Sequence, residues 1–229
     1  MMKVTIIRLL CAGVLLASPV LGHATFSSIT DNPDDILSTF GGNASLSKDL
    51  DVLNATVLYD STTDLYRLSA TLNGTPGTTP NGLYVWGVNT GAGTANPGFT
   101  ANGVNGVRFN ELVLVQPNGT GVVVDTGGGG AGGNLPGGSI TVSGNSISAV
   151  VPGSLLASTG FNKIDYTWNL WPRDTSFGSS ADFSQIADFG PDNANFTTTP
   201  GVVPEPETYL LILAGLVIAG WAARRRASD

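Results

Sequence analysis

Residues 53–72 read LNATVLYDSTTDLYRLSATL, and this stretch decides the fold class. Leu53, Ala55, Val57 and Tyr59 alternate with Asn54, Thr56 and Leu58, and Tyr66, Leu68, Ala70 and Leu72 alternate with Arg67, Ser69 and Thr71. A period of two puts each apolar set on one face of an extended strand. Between the two runs lies DSTTD (60–64), whose short polar side chains favour chain reversal. The stretch therefore predicts a hairpin with one buried side.

Working outward, further strands are expected at GLYVWGV (82–88), VRFNELVLV (107–115), GVVVDT (121–126), SITV (139–142), SISAVV (146–151) and KIDYTWNLW (163–171). PNGTG and SGN separate neighbours within pairs, and Tyr84 and Trp86 share a face that reads as core. No long apolar pattern of helical period occurs between residues 25 and 201. About eight short strands with polar turns predict an all-β domain, an antiparallel β-sandwich with a jelly roll as a variant. Two glycine-rich stretches, 89–106 and 126–138, read as flexible loops. The second holds a GxGxxG at Gly127, Gly129 and Gly132, but Asn-Leu-Pro follows instead of a helix, so no nucleotide site is expected.

The amino-terminal end fixes the compartment. Lys3 and Arg8 precede an apolar run from Leu9 to Ala17, a breaker at Pro19 and the small-residue exit Gly22, His23, Ala24. This is the pattern of a secretory signal peptide, residues 1–24, cut between Ala24 and Thr25. Its removal takes away Cys11, His23, Met1 and Met2, the only residues of their types. A mature chain without His or Cys has no Ser-His-Asp or Cys-His nucleophile, no His- or Cys-ligated zinc and no disulfide. Of the 17 acidic residues three lie in residues 202–229, and of the 10 basic residues five lie in the two terminal segments. The body, residues 25–201, thus carries fourteen acids against five bases, a charge of minus nine that argues against nucleic acid as a partner.

Three readings of chemistry in the body follow, each beside a plainer one. In DYTWNLWPRD (165–174), strand alternation sets Ile164, Tyr166, Trp168 and Leu170 on a core face, with Asp165, Thr167, Asn169 and Trp171 on the other. An indole beside polar side chains suits a pyranose ring, so Asp165, Asn169 and Trp171 are candidate sugar-binding residues; the plainer reading has Trp171 packed under a loop. Carboxylate-pair glycoside hydrolysis needs neither His nor Cys and would draw on Glu111, Asp125, Asp165 or Asp174, although their spacing predicts no pair; the body is read as non-catalytic. No cofactor is expected. DNPDD (31–35), DLD (49–51) and PDN (191–193) supply oxygen donors of the kind calcium takes, but turn formation explains them more simply.

The carboxyl-terminal end reads VVPEPETYLLILAGLVIAGWAARRRASD. Its apolar run, 209–223, would be a single hydrophobic helix of roughly 22 Å, marginal for a hydrocarbon core of about 30 Å. Arg224, Arg225 and Arg226 would hold its end on the cytoplasmic side, leaving the body outside. Pro204 and Pro206 keep the preceding segment extended. With Val203, Pro204, Glu205 and Pro206, then the apolar run, then the basic cluster, residues 202–229 resemble the PEP-CTERM sorting signal of exported bacterial proteins. The resemblance implies recognition by an exosortase-type membrane enzyme, transient anchoring in the inner membrane through 209–223, removal of the tail, and a destination at the cell surface among extracellular polysaccharide and biofilm matrix.

Overall fold

The computed structural model describes residues 28–127, 129, 132–178 and 182–201, together with Gly215, Leu216 and Ile218. The signal peptide with its Ala24–Thr25 junction lies outside them. So do Val203 to Pro206 and Arg224 to Arg226, and the expected terminal helix is described only at Gly215, Leu216 and Ile218, which are helical.

In chain order the strands are β1 (Ser28–Thr30), β2 (Val52–Asp60), β3 (Leu65–Leu72), β4 (Gly82–Asn89), β5 (Thr94–Ala95), β6 (Arg108–Phe109) and β7 (Glu111–Val115), then β8 (Gly121–Asp125), β9 (Gly133–Asn134), β10 (Ile140–Ser143), β11 (Ser146–Pro152), β12 (Thr167–Asp174), β13 (Phe196–Thr197) and β14 (Thr199–Pro200). One sheet runs β1-β2-β3-β11-β10, with β14 beside the second half of β2; the other runs β13-β12-β4-β7-β8-β9. Among the described residues all ladders are antiparallel except β14 with β2, and no sheet closes into a barrel.

The opening hairpin forms as its pattern requires. Asp60 Oδ1 accepts from the Thr62 amide at 2.9 Å and Oδ2 from the Thr63 hydroxyl at 2.7 Å, closing the turn before Asp64 enters the left-handed region at φ 53°. Ala55, Val57, Tyr66, Leu68, Ala70 and Leu72 are buried together. Leu53 departs from expectation: the register slips between Val52 and Asn54, so Val52 is fully buried and Leu53 is only partly so. A bulge adds one residue to one strand and reverses the parity of everything before it.

Side chains from both six-stranded sheets meet in a single buried cluster that includes Val57, Tyr66, Leu68, Trp86, Val113, Ile147 and Trp168. Tyr84 and Trp86 belong to it as the alternation predicts. Aromatic polar tips are matched: Trp168 Nε1 donates to Thr198 Oγ1 at 2.8 Å and Tyr66 OH to the Lys163 carbonyl at 2.7 Å. Burying each such large side chain is worth about 1.5–3 kcal/mol.

A second cluster lies on the opposite face of the β4-β7-β12 sheet, around Val85, Phe99, Val107, Trp171, Ile186 and Phe189. It forms because the glycine-rich stretch 89–106 is ordered where it was expected to be a flexible loop. That stretch contains β5 and a short helix α1 (Pro97–Thr100), capped by Asn96 Oδ1, which accepts from Gly98 N at 2.8 Å. The helix drops Phe99 onto Trp171, with centroids 5.2 Å apart and rings at 89°. The last long strand also differs: Lys163–Asp165 is a 3-10 turn, and β12 starts at Thr167 and continues through Pro172 to Asp174.

Candidate functional site

Two features stand out, a cluster of aspartates and an apolar-lined cleft. The cluster is built from β1, the segment leading into β2 and the segment after β12. Asp31 follows β1, Asp35 comes four residues later, just after a turn that ends at Asp34 with φ 70°, Asp51 precedes β2, and Asp188 and Asp192 flank Gly190. One carboxylate oxygen from each of Asp31, Asp35 and Asp192 lies within 4.8 Å of the others, and the same holds for Asp35, Asp51 and Asp188. Asp51 and Asp188 have no exposed surface.

Electrostatics in this cluster is uncompensated. Burial pushes the Asp188 carboxyl up to about 8, with Asp31 and Asp35 adding to the shift against the Val52 and Phe189 amides that oppose it. Burial likewise raises Asp31 to about 6, with Asp192, Asp35 and Asp51 contributing, and raises Asp35, with Asp192 and Asp51 contributing. The neighbouring acids of the same segments are engaged elsewhere. Asp34 pairs with Lys48, and fully buried Asp49 accepts from Thr79 N at 3.0 Å, Thr79 Oγ1 at 2.5 Å and Gly77 N at 3.2 Å. The oxygen-rich segments at 31–35, 49–51 and 191–193 were legible one by one. Asp188 had no signal, because what recruits it is a fold contact: the Val52 amide donates to its Oδ2 at 2.8 Å across 136 residues.

The cleft, of about 950 Å³, lies over the outer face of β4, β7 and β12. Leu83, Phe109, Leu112, Leu114 and Trp171 are among its apolar lining, and Asn110, Arg173 and Gln185 bring polar groups to it. Gln185 is 2 % exposed and its Oε1 has no hydrogen-bond partner.

Of the three candidate sugar-binding residues, the cleft receives one. Trp171 lines it but is only 2 % exposed, ringed by Phe99, Phe109 and Phe189, so it packs beneath a loop instead of presenting an open ring. Asn169 is fully buried, donating through Nδ2 to the Pro191 and Ala194 carbonyls at 2.6 and 2.8 Å. Asp165 is exposed in the turn before β12 and accepts from Asn162 Nδ2 at 2.9 Å. Alternation had placed the three on one strand face; the turn at 163–165 removes Asp165 from the strand, and segments 97–109 and 183–194 cover the rest.

The carboxylates considered for hydrolysis do not gather as one group. Glu111 and Asp125 stand opposite each other on β7 and β8, Asp165 precedes β12 and Asp174 ends it. No carboxylate lines the cleft among the described residues.

The most legible feature of the chain lies beyond this body. Residues 202–226 match the family model described as the PEP-CTERM protein-sorting motif, a match that takes in Val203 to Pro206, the apolar run and the three arginines. The chain carries a PEP-CTERM sorting motif. PEP-CTERM motifs mark exported proteins that exosortase, a membrane enzyme, sorts and processes. Compared with the curated proteins, the chain has no match. The PEP-CTERM motif thus speaks for delivery, and the body must be read from its own geometry.

Proposed function

We propose that this protein is a structural or adhesive component of the bacterial cell surface or extracellular matrix, associated with exopolysaccharide in biofilm, and that it catalyses no reaction. The observation that carries this reading is the PEP-CTERM motif attached to an acidic, β-rich body. The two sheets around one core make that body a β-sandwich on our reading, and rigid β domains without disulfides suit a load-bearing extracellular part. The test is fractionation of the matrix of the producing cells. Protein that co-purifies with polysaccharide, and a deletion strain that forms weaker biofilm, are the expected results; protein recovered wholly free of polysaccharide, with biofilm unchanged, overturns the reading.

The cleft favours a second reading, a carbohydrate-binding module for the cell's own polysaccharide. Its support is an apolar lining that includes Phe109, Leu112 and Leu114, with Asn110 and the unsatisfied Gln185 Oε1 beside it, the mix of apolar surface and directed polar groups that sugar sites use. Saturable glycan binding by the full chain that is lost in Gln185→Leu supports this reading. Matrix retention without saturable binding leaves the structural role and removes the module.

A further inference from the structure

The aspartate cluster has more carboxylate than its surroundings can neutralise or hydrogen-bond. Each of three carboxylates spends what donors it has and keeps one oxygen bare. Asp31 Oδ1 accepts from Asn32 N at 3.0 Å, which leaves Oδ2 buried without a partner. Asp51 Oδ2 accepts from Asp34 N at 2.7 Å and Asn73 Nδ2 at 2.9 Å, which leaves Oδ1 buried without a partner on a residue of zero exposure. Asp35 Oδ1 is also buried without a partner, on a residue of intermediate exposure. Asp188 has both oxygens fixed by the Val52 and Phe189 amides at 2.8 and 2.7 Å, so its carboxylate is oriented, and each oxygen retains a lone pair. A buried carboxylate oxygen with no donor is costly, and several together repel.

Among the described residues, no basic side chain answers this charge. The charges that act on Asp31, Asp35 and Asp188 are those of other carboxylates. Lys48, the nearest base in sequence, is engaged by Asp34 at the rim. Donors made only of oxygen, converging from three separated segments within 4.8 Å of one another, are what a hard divalent cation needs. Asp35 belongs to both triads, and Asp192 is exposed, so the group runs from an open mouth to a closed floor at Asp51 and Asp188.

We propose that Asp31, Asp35, Asp51, Asp188 and Asp192 form a calcium site that ties β1 and the 186–192 segment to the start of β2. Calcium fits better than magnesium because carboxylates gathered as two triads that share Asp35 suit a flexible six- to eight-oxygen shell, whereas magnesium keeps several waters and demands octahedral order. The ion would neutralise the bare oxygens together, and affinity in the range of extracellular modules, roughly 10⁻⁴–10⁻³ M, suffices outside the cell. Its role is to couple three chain segments that lie apart in the sequence, and this goes beyond the matrix reading without depending on it.

The experiment is calorimetric titration of the full chain with CaCl₂, and with MgCl₂ in parallel, joined to thermal unfolding in EDTA and in calcium. Saturable heat with calcium is expected, together with a rise in unfolding temperature of about 3–6 °C at tenfold excess over the dissociation constant. Asp35→Asn and Asp51→Asn should abolish the calcium response. In EDTA they should unfold no earlier than the parent, because each removes one repelling charge; a purely structural aspartate would instead make the variant weaker in both conditions. Absence of heat and of any thermal shift with calcium overturns the proposal, as does a calcium response that survives in both variants or an equal response to magnesium. The titration of the parent chain stands even where a variant fails to fold.

Discussion

Glu111 has no exposed surface, faces the shared core from β7, and neither of its carboxylate oxygens meets a donor in hydrogen-bonding geometry. Burial pushes its carboxyl up to about 7, Asp125 across the ladder adds to the rise, and the Ala157 amide offsets part of it. A raised carboxyl penalises the fold once the unfolded chain can ionise. The penalty is absent below about pH 4.5, grows as the unfolded state loses its proton, and is complete near pH 7 where the folded state loses its own. Urea unfolding across this window should show the parent losing stability relative to Glu111→Gln, on the order of 3 kcal/mol between the two ends. Parallel pH profiles for the two proteins would exclude a proton held at Glu111. Sequence gave notice of Glu111 as an acid in a strand but not of its direction, since the alternation of NELVL admits either face until the partner sheet is known.

At the scale of elements, β4 and β12 are buried on both sides, and one glycine makes that arrangement fit. Gly87 lies beside Trp171 across the ladder, and a Cβ there would fall among the indole ring atoms. The ring therefore occupies the space that a side chain at residue 87 would fill, and Phe99 meets it edge to face. Gly87→Ala should displace the indole and cost about 1–3 kcal/mol by overpacking; a lowered denaturant midpoint with altered tryptophan emission is the expected measurement, and an unchanged midpoint would contradict the packing. Most strands were legible, because alternation marks a half-buried strand. What escaped was the capping layer. A stretch of Gly, Thr and Asn reads as loop whether or not it is pinned, and here it is pinned by Asn96, Phe99 and a two-residue pairing of β5 with β6. Asn110 likewise breaks 107–115 into two strands, because its side chain turns to hold Thr90 N at 2.8 Å and Thr90 Oγ1 at 2.8 Å.

For the whole molecule, delivery and body are separate problems joined in one chain. Replacing Pro204, Glu205 and Pro206 with alanine should leave export intact while the processed form disappears, so that surface extracts lose the shorter species and the membrane fraction gains a larger one by intact mass. Processing that continues unaltered in that variant would show that the triplet is not what exosortase reads. Nothing in the body is expected to change, because the motif begins after β14 has paired beside β2.

The sequence by itself determined the class of the fold, the absence of His and Cys between the terminal segments, and the sorting motif, because each is written in local order: alternation, composition, and three features in a row over 25 residues. The tertiary structure alone decided which acids meet. Asp35, Asp51 and Asp188 come from separate parts of the chain, and the pairing of β1 with β2 and the hydrogen bond from Val52 to Asp188 help bring their carboxylates together. The same holds for Trp171, whose strand position was plain and whose burial depended on a glycine-rich segment folding back across it. Local periodicity fixes which way a side chain points; long-range pairing fixes what it points at.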